Sequence, residues 1–274
     1  QGDPFWKFTG TDTADHIDLN GAVLQAVVDF QALGGDDLYR GAEQDEGVDG
    51  GEGDDWISGM GGNDHLRGDE GDDTLRGDSG RNWLEGNEGN DTFQAGNEGL
   101  QILYDFDTKH DKLEIAAPGV NQLGDLRVST ITWNPENTKG NYASTRNNET
   151  ALYITWGNNK APKNGAVVRP EDLTGVTSLA EIREQVKLVS RLQAPVMDFS
   201  QPVWTPDLPD DIDPSELAPG LDPRRLVNDD SGPQSAADLG LTSTAGYYVL
   251  RASDDERSDA TASLHTSRNA VSAK

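Results

Sequence analysis

GGEGDDWIS (50–58), GMGGNDHLR (59–67), GDEGDDTLR (68–76), GDSGRNWLE (77–85) and GNEGNDTFQ (86–94) follow one another without a gap. Two worn copies, ALGGDDLYR (32–40) and GAEQDEGVD (41–49), precede them in the same frame, and an isolated echo, GTDTADHID, stands at 10–18. The first position of the frame is Gly except at Ala32, and the fourth is Gly except at Gln44. The sixth reads Asp37, Glu46, Asp55, Asp64, Asp73, Asn82, Asp91. The eighth is apolar every time: Tyr39, Val48, Ile57, Leu66, Leu75, Leu84, Phe93. A solvated acidic linker has no reason to keep one place in nine dry, so the frame describes a folded object.

A nine-residue period with a single obligatory apolar place suits a coil in which each copy is a glycine turn followed by a very short strand. Two copies then make one turn of the coil, and copies two apart stack in one sheet. Tyr39, Ile57, Leu75 and Phe93 are expected to line one inner face, and Val48, Leu66 and Leu84 the other. Glycine at positions one and four frees the backbone to enter left-handed conformations and turn carbonyls inward.

The same stacking superposes the acidic places: Asp55 on Asp73, Asp64 on Asn82, Asp73 on Asp91, Asp37 on Asp55 and Glu46 on Asp64. Carboxylates about 5 Å apart repel by roughly 3 kcal/mol at an effective dielectric near 20, and several such pairs rival the net stability of a domain. The coil should therefore need a cation between stacked turns. Ca²⁺, which takes six to eight oxygens in a flexible shell, fits turns that offer backbone carbonyls and one carboxylate each. The pairs reaching Asp73 are expected to bind most strongly, Asp64 with Asn82 less so, and those reaching Asp37 or Glu46 least.

The pattern GGxGxDxUx, with U apolar, resembles the hemolysin-type calcium-binding repeats of RTX proteins. ILYDFDTKHDKLEI (102–115) is similar to the DF…DKI segment that follows the last repeat in that family. The resemblance implies a right-handed parallel β-roll, calcium-dependent folding, and export from Gram-negative bacteria by type I secretion. The ligands it implies are the position-six groups Asp37, Asp55, Asp64, Asp73 and Asp91, with Asn82 through its amide oxygen. The turn glycines Gly50, Gly53, Gly59, Gly62, Gly68, Gly71, Gly86 and Gly89 complete the set through their backbone. About three to five calcium ions are expected, one for each stacked pair, with the two pairs reaching Asp37 or Glu46 the weakest.

Composition bounds the rest. The chain has 274 residues, 49 acidic against 22 basic, and a formal charge of −27. Residues 32–94 carry 18 acids, 4 bases and 16 of the 31 glycines, so about half of the excess charge sits in the repeats. Such a field repels nucleic acid and anionic lipid and attracts cations. Cysteine is absent, which excludes disulfides and thiol chemistry. No apolar run approaches the ~20 residues of a membrane span. Residues 1–31 read as an N-terminal flank holding the degenerate copy, 32–99 as the roll, 100–194 as a β-rich cap, and 195–274 as a Pro-rich acidic tail expected to be largely disordered. Strands are expected within 100–115, with a turn at Asp107–His110, and at Leu126–Trp133, Thr150–Trp156 and Ala166–Arg169. One helix is expected from a capping box at Ser178 and Glu181, with Leu179, Ile182, Val186 and Val189 on one face. The fold class is all-β: a parallel roll, a small β-rich cap with one helix, and the tail.

No catalytic pattern is present. His16, His65, His110 and His265 are scattered outside any HExxH, and the EF-hand spacing begun at Asp45 fails at Gly47 and Trp56. Trp56 and Trp83, at position seven, should point outward, either packing against flanking segments or meeting a surface polysaccharide or protein partner. Two roles follow. The chain is a structural or adhesive module of a secreted or cell-surface protein. Alternatively, as the Gln1 start allows, it is the C-terminal secretion-supporting part of an extracellular enzyme such as a protease, lipase or polysaccharide-modifying enzyme.

Overall fold

One apolar side chain in nine residues, always at the same place in a short extended segment, can be buried only if the segments stack. The structure, a computed structural model, describes residues 5–21, 27–133, 149–156, 164–170, 178–197 and 226–228. In it the copies alternate between two parallel sheets, forming a parallel β-solenoid of about five turns.

The first sheet takes β1 (Phe5–Thr9), β3 (Val27–Gln31), β5 (Glu46–Glu52), β7 (His65–Glu70), β9 (Arg81–Glu88) and β11 (Leu100–Phe106). It continues into β15 (Gly165–Pro170), β14 (Glu149–Thr155) and β13 (Arg127–Trp133), the last two antiparallel. The second takes β2 (Asp15–Asp18), β4 (Leu38–Arg40), β6 (Trp56–Ser58), β8 (Thr74–Arg76), β10 (Thr92–Ala95), β12 (Lys112–Ile115) and β16 (Val186–Leu188), with β17 (Leu226–Asn228) antiparallel on β2. The strands expected after residue 99 all form. β11 and β12, separated by the turn at 107–110, go to opposite sheets and so carry the coil onward.

Register follows position eight. In the second sheet Ile17, Tyr39, Ile57, Leu75, Phe93, Leu113 and Val186 stand in one column. In the first, Phe30, Val48, Leu66, Leu84, Leu103 and Val168 form the other. All thirteen are buried in one cluster. Each such side chain contributes about 1.5–3 kcal/mol by leaving water, and these two columns are the main force closing the coil. The columns run past both ends of the repeat frame, since Ile17 and Phe30 precede residue 32 and Leu103, Leu113, Val168 and Val186 follow residue 99.

The expected helix does not form. Ser178 Oγ does meet Glu181 Oε1 at 2.7 Å, but residues 179–185 are only turns, and Val186–Leu188 pairs with β12 instead. The reason is the open edge of β12: Leu113 N–H donates to the Gln185 carbonyl and Val189 N–H to that of Ile115. A β-branched segment that satisfies an exposed edge gains more there than as an isolated helix. Among the described residues no helix reaches seven residues, and none is long and apolar enough to cross a membrane. Of the region 195–274, 195–197 and Leu226–Asn228 are described; the disorder expected for the remainder lies outside the described residues.

Trp83 stands on the outer face of β9, partly buried against Ile102, Ala151 and Val167, with the Arg81 guanidinium 5.5 Å from its ring centre. Trp56 is 7% exposed. Packing has taken both rings, and neither is an exposed platform for a sugar.

Candidate metal centre

Each glycine turn leads into a strand whose entry residue is position six. Turns that enter the second sheet form one edge of the roll, with Asp15, Asp37, Asp55, Asp73, Asp91 and Asp111. Turns that enter the first sheet form the other, with Glu46, Asp64, Asn82 and Gln101. All ten side chains are at most 3% exposed.

One hydrogen bond repeats along each edge. The backbone N–H of a position-six residue donates to the side chain of the next rung, usually 18 residues ahead. Asp15 donates to Asp37 Oδ1 (2.6 Å), Asp37 to Asp55 (2.8 Å), Asp55 to Asp73 (2.8 Å), Asp73 to Asp91 (3.0 Å) and Asp91 to Asp111 (3.0 Å). On the other edge Glu46 donates to Asp64 (3.0 Å) and Asp64 to Asn82 Oδ1 (2.9 Å). The stacked pairs expected from the nine-residue frame are therefore the pairs formed. The two end rungs of the first edge are closed locally: Thr11 N–H donates to Asp15 Oδ2 (2.8 Å) and Asp107 N–H to Asp111 Oδ2 (2.7 Å).

The interior carboxylates keep one oxygen without a partner. Asp37, Asp55, Asp64, Asp73 and Asp91 Oδ2, and Glu46 Oε2, are buried and accept no hydrogen bond. Six orphaned anionic oxygens are too costly to be an accident of packing. Burial, the main cause, pushes Asp55, Asp73 and Asp91 up to about 7, Glu46 to about 8, Asp64 to about 9 and Asp37 to about 10. Neighbouring carboxylates push the same way, and the backbone N–H bonds oppose them.

The glycines explain where those oxygens sit. A Cβ on Gly68 would meet Asp73 Oδ2, and one on Gly50 would meet Asp55 Oδ2 and lie 2.8 Å from the Gly68 carbonyl oxygen. Gly59 faces Asp64 and Gly86 faces Asp91 in the same way. Position one is thus glycine because a bare Cα leaves room for a carboxylate and a carbonyl to converge, and the left-handed backbone expected there lies elsewhere. It falls at position four, where Gly53, Gly62, Gly71 and Gly89 have φ of 131°, 116°, 138° and 152°, and at position two, in Leu33, Met60, Asp69, Asp78 and Asn87. Asp and Asn tolerate that region, whereas Leu33 and Met60 hold it against a steric cost.

A hard cation fits this donor set. Among the described residues no three His, Asp or Glu side chains converge, so a closed all-side-chain shell is ruled out there. Single carboxylates beside inward-facing turn carbonyls instead match the oxygen-rich, flexible shell of Ca²⁺. The family model described as the RTX calcium-binding nonapeptide repeat, in four copies, matches residues 49–84 and 76–98. These are RTX calcium-binding repeats. The chain carries an RTX β-roll, and the RTX match covers the copies whose geometry is most regular. No curated protein and no solved structure matches the chain.

The structure also adds rungs that the nine-residue frame does not reach. Asp15 lies in the isolated echo. Gln101 belongs to GNEGLQILY (96–104), which fits the nine-residue frame once it is displaced one residue by Ala95, and Asp111 to the segment after it. Allowing a single-residue insertion after Gln94 brings Gly96, Gly99, Gln101 and Leu103 into the frame. Asn82 differs from the carboxylates around it: its Oδ1 is taken by the Asp64 N–H, and its NH2 donates to the Asp78 and Ser79 carbonyls (3.5 Å each) and to Gln101 Oε1 (3.3 Å).

Gly68→Ala should raise the calcium concentration at half-folding about tenfold or more, since overpacking at such a contact costs ~1–3 kcal/mol. Gly124→Ala, where an added Cβ meets nothing within 4 Å, should leave it unchanged. Equal midpoints for both variants in a calcium titration followed by circular dichroism would show that position one is not a ligand cradle.

Proposed function

We propose that this chain is a calcium-dependent folding module of a secreted or cell-surface protein of a Gram-negative bacterium, serving a structural or adhesive role. The observation that supports it is the row of buried, unpartnered carboxylate oxygens facing glycine Cα atoms. Without a cation they oppose the coil, and with one they hold it. Between Asp37 and Asp91 there are three intervals joining such carboxylates, and Glu46–Asp64 makes a fourth, in keeping with the three to five ions expected from the repeats.

On this reading the chain stays unfolded where calcium is scarce and folds near the ~0.1–1 mM range to which extracellular calcium modules are tuned. Ligands are preformed only in the folded state, so binding free energy becomes folding free energy. Far-ultraviolet circular dichroism in EDTA, then in excess Ca²⁺, tests this. A strand spectrum should arise on adding Ca²⁺ and not on adding Mg²⁺, whose strict octahedral shell these turns do not match. A spectrum indifferent to both ions would refute the module. The adhesive role is tested separately, by retention of the calcium-loaded chain on cells or extracellular polysaccharide, with the EDTA-treated chain as control.

A further inference from the structure

We propose that the Asn82–Gln101 turn is closed by its own side-chain amides and takes no cation. The proposal rests on the calcium reading of the other turns and marks the place where that reading stops.

Asn82 is fully buried and Gln101 is 1% exposed. They are paired neighbours on β9 and β11, so Gln101 is the next rung after Asn82. The Asp64 N–H donates to Asn82 Oδ1, which fixes the orientation of the amide, because a flipped group would place NH2 against N–H. The Asn82 NH2 then points where the carboxylate turns carry an orphaned oxygen. It reaches the Asp78 and Ser79 carbonyls and Gln101 Oε1, while Gln101 Nε2 donates to the Asp78 carbonyl at 2.8 Å. A Cβ on Gly77 would meet Gln101 Oε1 and Asn82 Nδ2, so the two amides occupy the glycine cradle that elsewhere faces a carboxylate oxygen.

The chemistry is a substitution of donor for cation. Three oxygens, the Asp78 and Ser79 carbonyls and Gln101 Oε1, surround the Asn82 NH2. Its two hydrogens, together with the Gln101 Nε2 donor on the Asp78 carbonyl, leave none of the three without a donor, with no ion and no charge left behind. The edge that begins with Glu46 and Asp64 therefore changes from anionic to neutral at Asn82. That change comes where the roll hands over to β11 and, through it, to β15.

Asn82→Asp tests the assignment by restoring the missing oxygen. Equilibrium dialysis with ⁴⁵Ca²⁺ on the full chain should find one more ion per chain in Asn82→Asp than in the wild type. Asn82→Ala should bind the same number as the wild type. A wild type that binds calcium, with no gain in Asn82→Asp or with an ion lost in Asn82→Ala, overturns the proposal; a wild type that binds none overturns the calcium reading instead. A second measurement needs no variant. In the calcium-loaded chain the Asn82 side-chain NH2, donating to the Asp78 and Ser79 carbonyls and to Gln101 Oε1, should exchange its hydrogens about tenfold or more slower than an exposed amide. Exchange at the exposed rate would overturn the self-closed turn even if Asn82→Asp failed to fold.

Discussion

In EDTA the chain should hold more strand structure at pH 4 than at pH 8, the reverse of the usual acid sensitivity of a calcium protein. In the folded roll Asp55, Asp73 and Asp91 sit near 7, and Glu46, Asp64 and Asp37 near 8, 9 and 10, chiefly through burial. In the unfolded chain they ionise near their ordinary values of about 4. Below both values the groups are protonated in either state and cost little. As pH rises through the unfolded values, the unfolded chain loses protons that the roll must keep, and stability falls until the folded values are passed. Each unit of displacement is about 1.4 kcal/mol. Six displaced groups, even heavily discounted, outweigh the ~5–15 kcal/mol net stability of a domain. The calcium-free roll is therefore an acid-side structure. Calcium needs the deprotonated ligands, so its binding at pH 6 should release protons, and the concentration for half-folding should fall as pH rises. Circular dichroism across pH with and without Ca²⁺ checks both slopes. A calcium-free chain more ordered at pH 8 than at pH 4 would contradict the burial of these carboxylates.

The second large effect is expected at Asp73, where two roles can be separated. Its Oδ1 accepts the Asp55 N–H, and its Oδ2 is unpartnered. Asp73→Ala removes both and leaves a buried backbone N–H without an acceptor, a loss of about 1–3 kcal/mol before any ion is counted. Asp73→Asn keeps the Asp55 bond and places NH2 where an oxygen stood, as Asn82 does. Asp73→Ala should lower the melting temperature of the calcium-loaded chain more than Asp73→Asn does. Both variants should bind fewer ions than the wild type in equilibrium dialysis. If Asp73→Asn kept the full number, Oδ2 would not be a ligand.

The sequence frame carried the interior of the roll further than its ends. A nine-residue period with position eight apolar sufficed to place Ile57 on Leu75 and Leu66 on Leu84, because stacking leaves no other way to bury them. It also placed the acidic pairs, since position six rides on the same coil. The ends were harder for a physical reason: a terminal turn must satisfy an open edge, and it does so with whatever sequence is at hand. Ala95 shifts the frame by one residue, so the rung at Gln101 falls out of step while its strand still pairs. Val186 keeps helical spacing with Leu179 and Ile182, yet the open edge of β12 draws it into a strand. Glycine at position one was legible as a requirement but not as a cause. Only the approach of Asp73 Oδ2 to the Gly68 Cα shows that the need is for space and not for an unusual backbone angle.

The ladder along the Asp15–Asp111 edge has a direction. Every N–H in it looks forward along the chain to a carboxylate not yet reached, and no carboxylate is needed from behind. A turn whose predecessor is missing loses a donor to its carboxylate and also the carbonyl to which its next backbone N–H reaches back, as Trp56 reaches Asp37 and Thr74 reaches Asp55. A turn whose successor is missing carries a buried amide with no acceptor. Both end carboxylates close locally, Asp15 on Thr11 and Asp111 on Asp107, but only Asp111 must also bend its own N–H back, onto the Asp107 carbonyl at 3.0 Å. The side-chain ladder is in this sense a one-way zipper, while the backbone bonds beside it run the opposite way, so each turn leans on both of its neighbours.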